Sequence, residues 1–156
     1  MGALRGFSLI ELIVVMVVMA ILVGIAAPRF FGRGDFEGPA FAQELGSAAR
    51  YAQKLAVISG CPVELTVTAT GYALHQPDPP ALGVAPCTGA LTMAAFVKHP
   101  GTGENFASTV PVGVTIAGTL GTTRFDAAGV PNAAASFTVA GQAVTITAGS
   151  GYVQVQ

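Results

Sequence analysis

Charge is scarce in this chain. Asp, Glu, Lys and Arg make up only 10% of its 156 residues, and the formal net charge is −1. After Lys54 the only basic residues are Lys98 and Arg124. Proteins that hold nucleic acid through phosphates need clustered cations, so direct nucleic-acid binding is not expected. Cys61 and Cys87 are the only cysteines, and they lack the His or Cys partners that a zinc site needs at ligand spacing. His75 and His99 stand alone, neither placed beside an acid or a nucleophile. Gly101–Thr102–Gly103–Glu104 lacks the Lys and the following helix of a phosphate cradle. No G-x-S-x-G occurs. Nothing here argues for catalysis, so no enzyme, no metal and no cofactor are expected.

What the chain does have is one long apolar run. Phe7 to Ala27, FSLIELIVVMVVMAILVGIAA, holds a single charge, Glu11, behind a six-residue leader and ahead of Pro28. About 20 residues at about 1.5 Å each match a hydrocarbon core of about 30 Å. The run is longer than the 7–15 residues, roughly, of most secretory h-regions. Val23–Gly24–Ile25–Ala26–Ala27 nevertheless resembles a small-residue cleavage site, so a removed secretory signal is the plain alternative. Glu11 argues against it. A carboxylate at the centre of a membrane span costs about 2.5–3.5 kcal/mol on insertion scales, and such acids usually have a partner. A cut between Gly6 and Phe7 would create an α-amine one helical turn from Glu11, in the same chain or in a neighbour.

Gly6–Phe7–Ser8–Leu9–Ile10–Glu11, the apolar run and Pro28 together resemble the class III signal of type IV pilins and type II secretion pseudopilins. The resemblance implies that a prepilin peptidase cuts after Gly6 on the cytoplasmic side and methylates Phe7. It implies that Glu11 pairs with the N-terminus of an adjacent subunit during assembly. The implied partners are prepilin peptidase, other pilin or pseudopilin subunits, an inner-membrane assembly platform and membrane lipid. Arg5 favours a cytoplasmic N-terminus, whereas Arg29 and Arg33 point the other way. Orientation therefore follows from the resemblance: a single pass through the inner membrane, with the C-terminal domain periplasmic.

The rest of the chain divides by its periodicity. The expected organisation is a leader at 1–6, a membrane and assembly helix at 7–27, a kink and hinge at 28–38, the second half of the helix at 39–60 and a β domain at 61–156. Pro28 is the expected kink. Over 39–59, Phe41, Leu45, Ala48, Ala52, Leu55 and Ser59 share one helical face, and Gly60 is a natural stop. Gly46, Ala48, Ala49, Ala52 and Ala56 form a small-residue stripe that lets a sheet come close. From Cys61 the period becomes two: Val63, Leu65 and Val67 alternate with polar residues, and Tyr72 and Leu74 begin a returning strand. Residues 76–89 are Pro-rich and read as a loop. Strands are expected over Leu91–Lys98, Val110–Ala117, Thr122–Asp126, Ser136–Ala140, Val144–Thr147 and Tyr152–Val155. The fold class is α+β, a long N-terminal helix whose second half packs on an antiparallel sheet or sandwich.

The segment Gln43 to Val57 followed by Val63–Glu64–Leu65, together with Thr123 to Gly129, resembles the GspH/FimT group of minor pseudopilins and minor pilins. That resemblance implies a structural subunit at or near a filament tip, in protein secretion, pilus biogenesis or DNA uptake. Major pseudopilins bind calcium through acids near the C-terminus. From Ala127 onward this chain has none, so no such site is expected. In an oxidising periplasm Cys61 and Cys87 suggest a disulfide; two separate buried thiols are the alternative. The rival functions are a major pilin subunit and a periplasmic binding module on an ordinary signal or anchor.

Overall fold

The computed structural model describes residues 8–30, 34–77, 87 and 92–156, with side chains described for all of these except 25–30, 34 and 35. The chain divides into two compact units, Met1–Arg33 and Gly34–Gln156. The first unit is helix α1, Leu9–Phe30. Its helical bonds begin with Leu12 N–H donating to Ser8 O at 3.2 Å. Leucine, methionine and alanine favour this conformation, and the one glycine inside the described stretch, Gly24, costs only about 1 kcal/mol against alanine.

The second unit opens with α2, Gly34–Ser59. The helix was expected to start at Pro39, but it begins five residues sooner and takes in part of the expected hinge. Pro39 lies inside it. Proline removes one N–H and clashes with the carbonyl four residues back, a conflict smallest near a helix start. Pro28 likewise falls within α1, which continues to Phe30. Residues 31–33, part of the expected hinge, lie outside the described residues. Helix α2 ends where expected, because Gly60 takes φ +66°, a left-handed stop that glycine adopts without steric cost.

Two antiparallel sheets pack on α2. The first is built on β1 (Val63–Thr68), which pairs with β2 (Gly71–Gln76) on one side and β6 (Gly121–Phe125) on the other. Strands β3 (Ala95–Phe96) and β4 (Ala107–Thr109) share the far edge of β2. The second sheet runs β5 (Ile116–Gly118), β7 (Ala135–Val139), β8 (Gln142–Ile146), β9 (Val153–Val155). Strand periodicity sets the inward rows: Val63, Leu65 and Val67 on β1, Phe137 and Val139 on β7, Val144 and Ile146 on β8, all buried. They meet Phe41, Ala42, Leu45, Ala48, Ala49, Ala52 and Ala56 of α2 in one core. Each large apolar side chain buried there contributes about 1.5–3 kcal/mol. The small-residue stripe does face the sheets. A Cβ on Gly46 would collide with Val155 Cγ2, so β9 rests almost directly on the helix backbone. Leu55, expected in the same row, is only half-buried.

Two expected strands differ. Of the strand expected over Leu91–Lys98, Leu91 lies outside the described residues; among 92–98 only Ala95–Phe96 is strand, with Lys98 bridged to Asn105. The expected strand at 110–117 is broken, and its ladder forms on either side, at β4 and β5. Pro111 has no N–H to offer a ladder, and Gly113 turns with φ +86°.

Candidate functional site

The residues singled out for processing and assembly are Gly6, Phe7 and Glu11. Gly6 and Phe7 lie outside the described residues. Glu11 stands in the first turn of α1, with its side chain exposed. A negative charge there is favourable, because the unpaired N–H groups of a helix start carry partial positive charge, worth about 0.3–1 kcal/mol at an exposed site.

The surface around Glu11 is unusual for a helix in water. Every described aliphatic side chain from Leu9 to Val23 is exposed, from Leu9 at 78% to Val23 at 63%. Apolar residues occupy all sides of the helix, so no rotation about its axis would bury them against a single partner face. Contiguous apolar surface of this kind marks an interaction site. Side chains are described for Leu9–Gly24, which spans only about 24 Å at 1.5 Å per residue. Among the described residues no helix is long and apolar enough to cross a membrane.

In the second unit, Cys61 and Cys87 are joined in a disulfide, their Cα atoms 5.3 Å apart. The bond fixes position 87 beside the end of α2. Asp126 and the two histidines are engaged structurally. Asp126 Oδ1 accepts from Ala128 N–H at 2.9 Å and Val130 N–H at 2.8 Å, closing a turn. His75 packs on Phe96, ring centroids 4.6 Å apart. His99 packs on Phe106 at 5.0 Å and accepts Gly101 N–H at Nδ1. Among the described residues no group of three or more His, Cys, Asp or Glu is placed to hold a metal.

Three contacts of α2 were not legible beforehand. Arg50 Nη2 donates to Val153 O at 3.2 Å, covering part of the free edge of β9. Gln53 Nε2 donates to Gly129 O at 3.1 Å and Ser150 O at 3.0 Å, tying two turns from different sheets to one helix. Tyr72 Oη donates to Glu44 Oε1 at 2.8 Å. Burial pushes the Tyr72 hydroxyl pKa well above the ordinary tyrosine value, and the hydrogen bond to Glu44 and that carboxylate's charge raise it further. The residue types at 50 and 53 mark them as polar positions on a helix. Nothing in the sequence says which turns they reach.

Comparison with known proteins agrees with both units. Residues 2–27 match the prokaryotic N-terminal methylation motif. No curated protein matches the chain in sequence. Among solved structures, the type IV minor pilin FimU of Pseudomonas aeruginosa (strain PAO1) is similar, with TM-score 0.53 and 15% identity over 77% of this chain and 88% of that one. The minor pseudopilin EpsH from the Type 2 Secretion System of Vibrio cholerae is also similar, with TM-score 0.53 and 14% identity over 77% of this chain and 96% of that one. The chain therefore carries a pilin-type N-terminal motif and has the pilin fold, an N-terminal helix on antiparallel sheets.

Proposed function

We propose that this chain is a minor-pilin-like or minor-pseudopilin-like structural subunit, which assembles through its N-terminal helix into a filament of the type IV pilus or type II secretion kind. The observation that carries the reading is α1 itself. Its described side chains are exposed and apolar on every side, it has one acid in its first turn, and most of it lies within the matched methylation motif. A helix of that composition needs lipid or other apolar helices around it. Both surroundings fit a subunit that waits in the inner membrane, with its β domain in the periplasm, and then moves into a helical bundle.

Processing by prepilin peptidase between Gly6 and Phe7 frees and methylates the Phe7 amine. The amine of one subunit and the Glu11 carboxylate of the next then pair inside the bundle. The pair offsets the cost of burying either charge alone and fixes the axial register of adjacent helices. Breaking a buried pair by removing one partner costs about 3–5 kcal/mol. Glu11→Ala should therefore leave cleavage intact and cut incorporation into filaments by more than tenfold. N-terminal sequencing of the mature chain should start at methyl-Phe7. Recovery of the intact leader in cells that contain the peptidase, or normal incorporation of Glu11→Ala, rejects the reading. The structural neighbours are described as a minor pilin and a minor pseudopilin, which supports the reading.

A further inference from the structure

The chain enters the second unit at Gly34, four residues after α1 ends at Phe30. Two tight turns lie at this end of α2. A Cβ on Gly38 would overlap Ala140 Cβ of one turn and touch Val114 Cγ2 of the other at 3.9 Å. The turn Pro111–Val114 is closed by Val114 N–H donating to Pro111 O at 3.1 Å, with Gly113 at φ +86°. Val114 is buried and holds the turn down, while Val112 at its tip is 96% exposed. The other turn joins β7 to β8 through Ala140 and Gly141, both left-handed, at φ 48° and 82°. Turn tips and left-handed positions are ordinarily taken by Gly, Asn, Asp or Ser, which suit water or the backbone angle. Here a valine and an alanine take them, the alanine against its own backbone preference. No charged residue occurs in 105–123 or 127–156, the segments that supply both turns. Phe36, in the first turn of α2, is 76% exposed and lies around the helix from Gly38. Apolar groups thus flank this end of α2 on both sides.

We propose that, before assembly, this end of the second unit rests on the lipid surface, with the Val112 turn set into the boundary between headgroups and acyl chains. The proposal rests on the reading of α1 as the membrane helix of a waiting subunit. On that reading the occupant follows from continuity of the chain: the end at which it enters the second unit is the end a bilayer can reach. Apolar side chains at such a surface sink about 5–10 Å into the headgroup and acyl boundary, which is what an exposed valine on a rigid turn can do. Asp35 and Glu37 stand in the first turn of α2, where the positive helix start favours them, so they need no cation from the lipid. The contact is therefore apolar and does not depend on anionic headgroups. Together with Phe36, the turn would hold the β domain in one orientation on the membrane while the subunit awaits assembly.

The chain has no tryptophan, so a single one reports its own surroundings. The full-length protein is reconstituted into phosphatidylcholine vesicles as Val112→Trp and, separately, as Ile58→Trp. Both positions are exposed, so the larger ring disturbs no packing. Ile58 lies 20 residues beyond Gly38, about 30 Å along α2, and serves as the control. Flotation on a density gradient first shows whether the chain is in the vesicles. Phosphatidylcholine brominated on its acyl chains should then quench about half of the emission from position 112 and almost none from position 58. Acrylamide, a quencher confined to water, should show the reverse order. A chain that floats but leaves position 112 unquenched by bromolipid and as open to acrylamide as position 58 overturns the proposal alone. Shielding of position 112 from acrylamide without bromolipid quenching means that another copy of the chain covers it, and also overturns the proposal. A chain that does not float rejects the membrane reading of α1 and this proposal with it.

Discussion

Tyr72 places a hydroxyl 2.8 Å from Glu44 Oε1 while only 5% of the residue meets solvent. Deprotonating it would put a second negative charge into a dry site beside a carboxylate. Its pKa in the folded chain is therefore raised above the ordinary value near 10.0, by burial first and by Glu44 second. In the unfolded chain the hydroxyl ionises near 10. The folded state thus holds this proton more tightly. Its contribution to stability is whole below pH 10 and is lost as pH climbs toward the raised value. Tyr72→Phe should cost about 0.5–1.5 kcal/mol at neutral pH, the net worth of one hydrogen bond. Above pH 10 the gap between wild type and variant should close, because only the wild type pays to keep its proton. Thermal melts of both proteins at pH 7 to 11.5 check this. A gap that stays constant with pH refutes it. Neither Glu44 nor Tyr72 could be paired from sequence, because they are 28 positions apart and nothing local binds them. Glu11 was legible for the opposite reason. A lone charge in an apolar run is a local anomaly and needs no tertiary contact to be noticed.

At the scale of elements, the passage from β5 to β6 carries the chain from the second sheet to the first. Gly118 ends β5 with φ +113°, and a Cβ there would drive into the backbone carbonyl of Ser136 on the paired strand β7. Backbone cannot step aside as a flexible side chain can. Gly118→Ala should therefore destabilise by about 1–3 kcal/mol through combined strain and overlap, which denaturant unfolding would show as a lower midpoint. Gly46→Ala is gentler: the obstructing atom is Val155 Cγ2, a side-chain methyl near the end of the chain, and helix propensity gains about 1 kcal/mol. An equal loss in the two variants would show that the backbone at β7 yields more readily than this geometry allows. The helices and paired strands were largely legible, since residues 63–67 and 135–139 alternate cleanly, as do 144–146. The break at Pro111–Gly113 was not, because Val110, Val112 and Val114 mimic a strand. Val112 is in fact exposed. The early start of α2 was hidden by Pro39, which reads as a helix opening and is instead tolerated inside one.

For the whole molecule, the decisive fact is where the core lies. Every buried hydrophobic residue among those described falls between Phe41 and Val153, within the second unit. The first unit contributes exposed apolar surface and one acid. The chain is thus a self-sufficient packed domain joined to a helix whose stability must come from its surroundings. An isolated helix is marginal in water, and this one would expose aliphatic side chains on all sides. The sequence announced this division through its apolar run, which ends at Ala27, ahead of the second unit. It could not announce that α2 would meet both sheets along one small-residue face, because that depends on which strands cross above it. The division has a direct consequence. A chain that begins at Gly34 keeps the whole core, the Cys61–Cys87 bond and the Gln53 and Arg50 ties to the sheets. It should therefore be monomeric without detergent and melt in one cooperative step, with the near-UV spectrum of the full-length protein. The full-length chain should need detergent to stay dispersed. If the truncated chain has lost its near-UV signal or melts without cooperativity, the first unit does contribute to folding the second, and α1 is part of the core's support rather than an element reserved for contacts outside the chain.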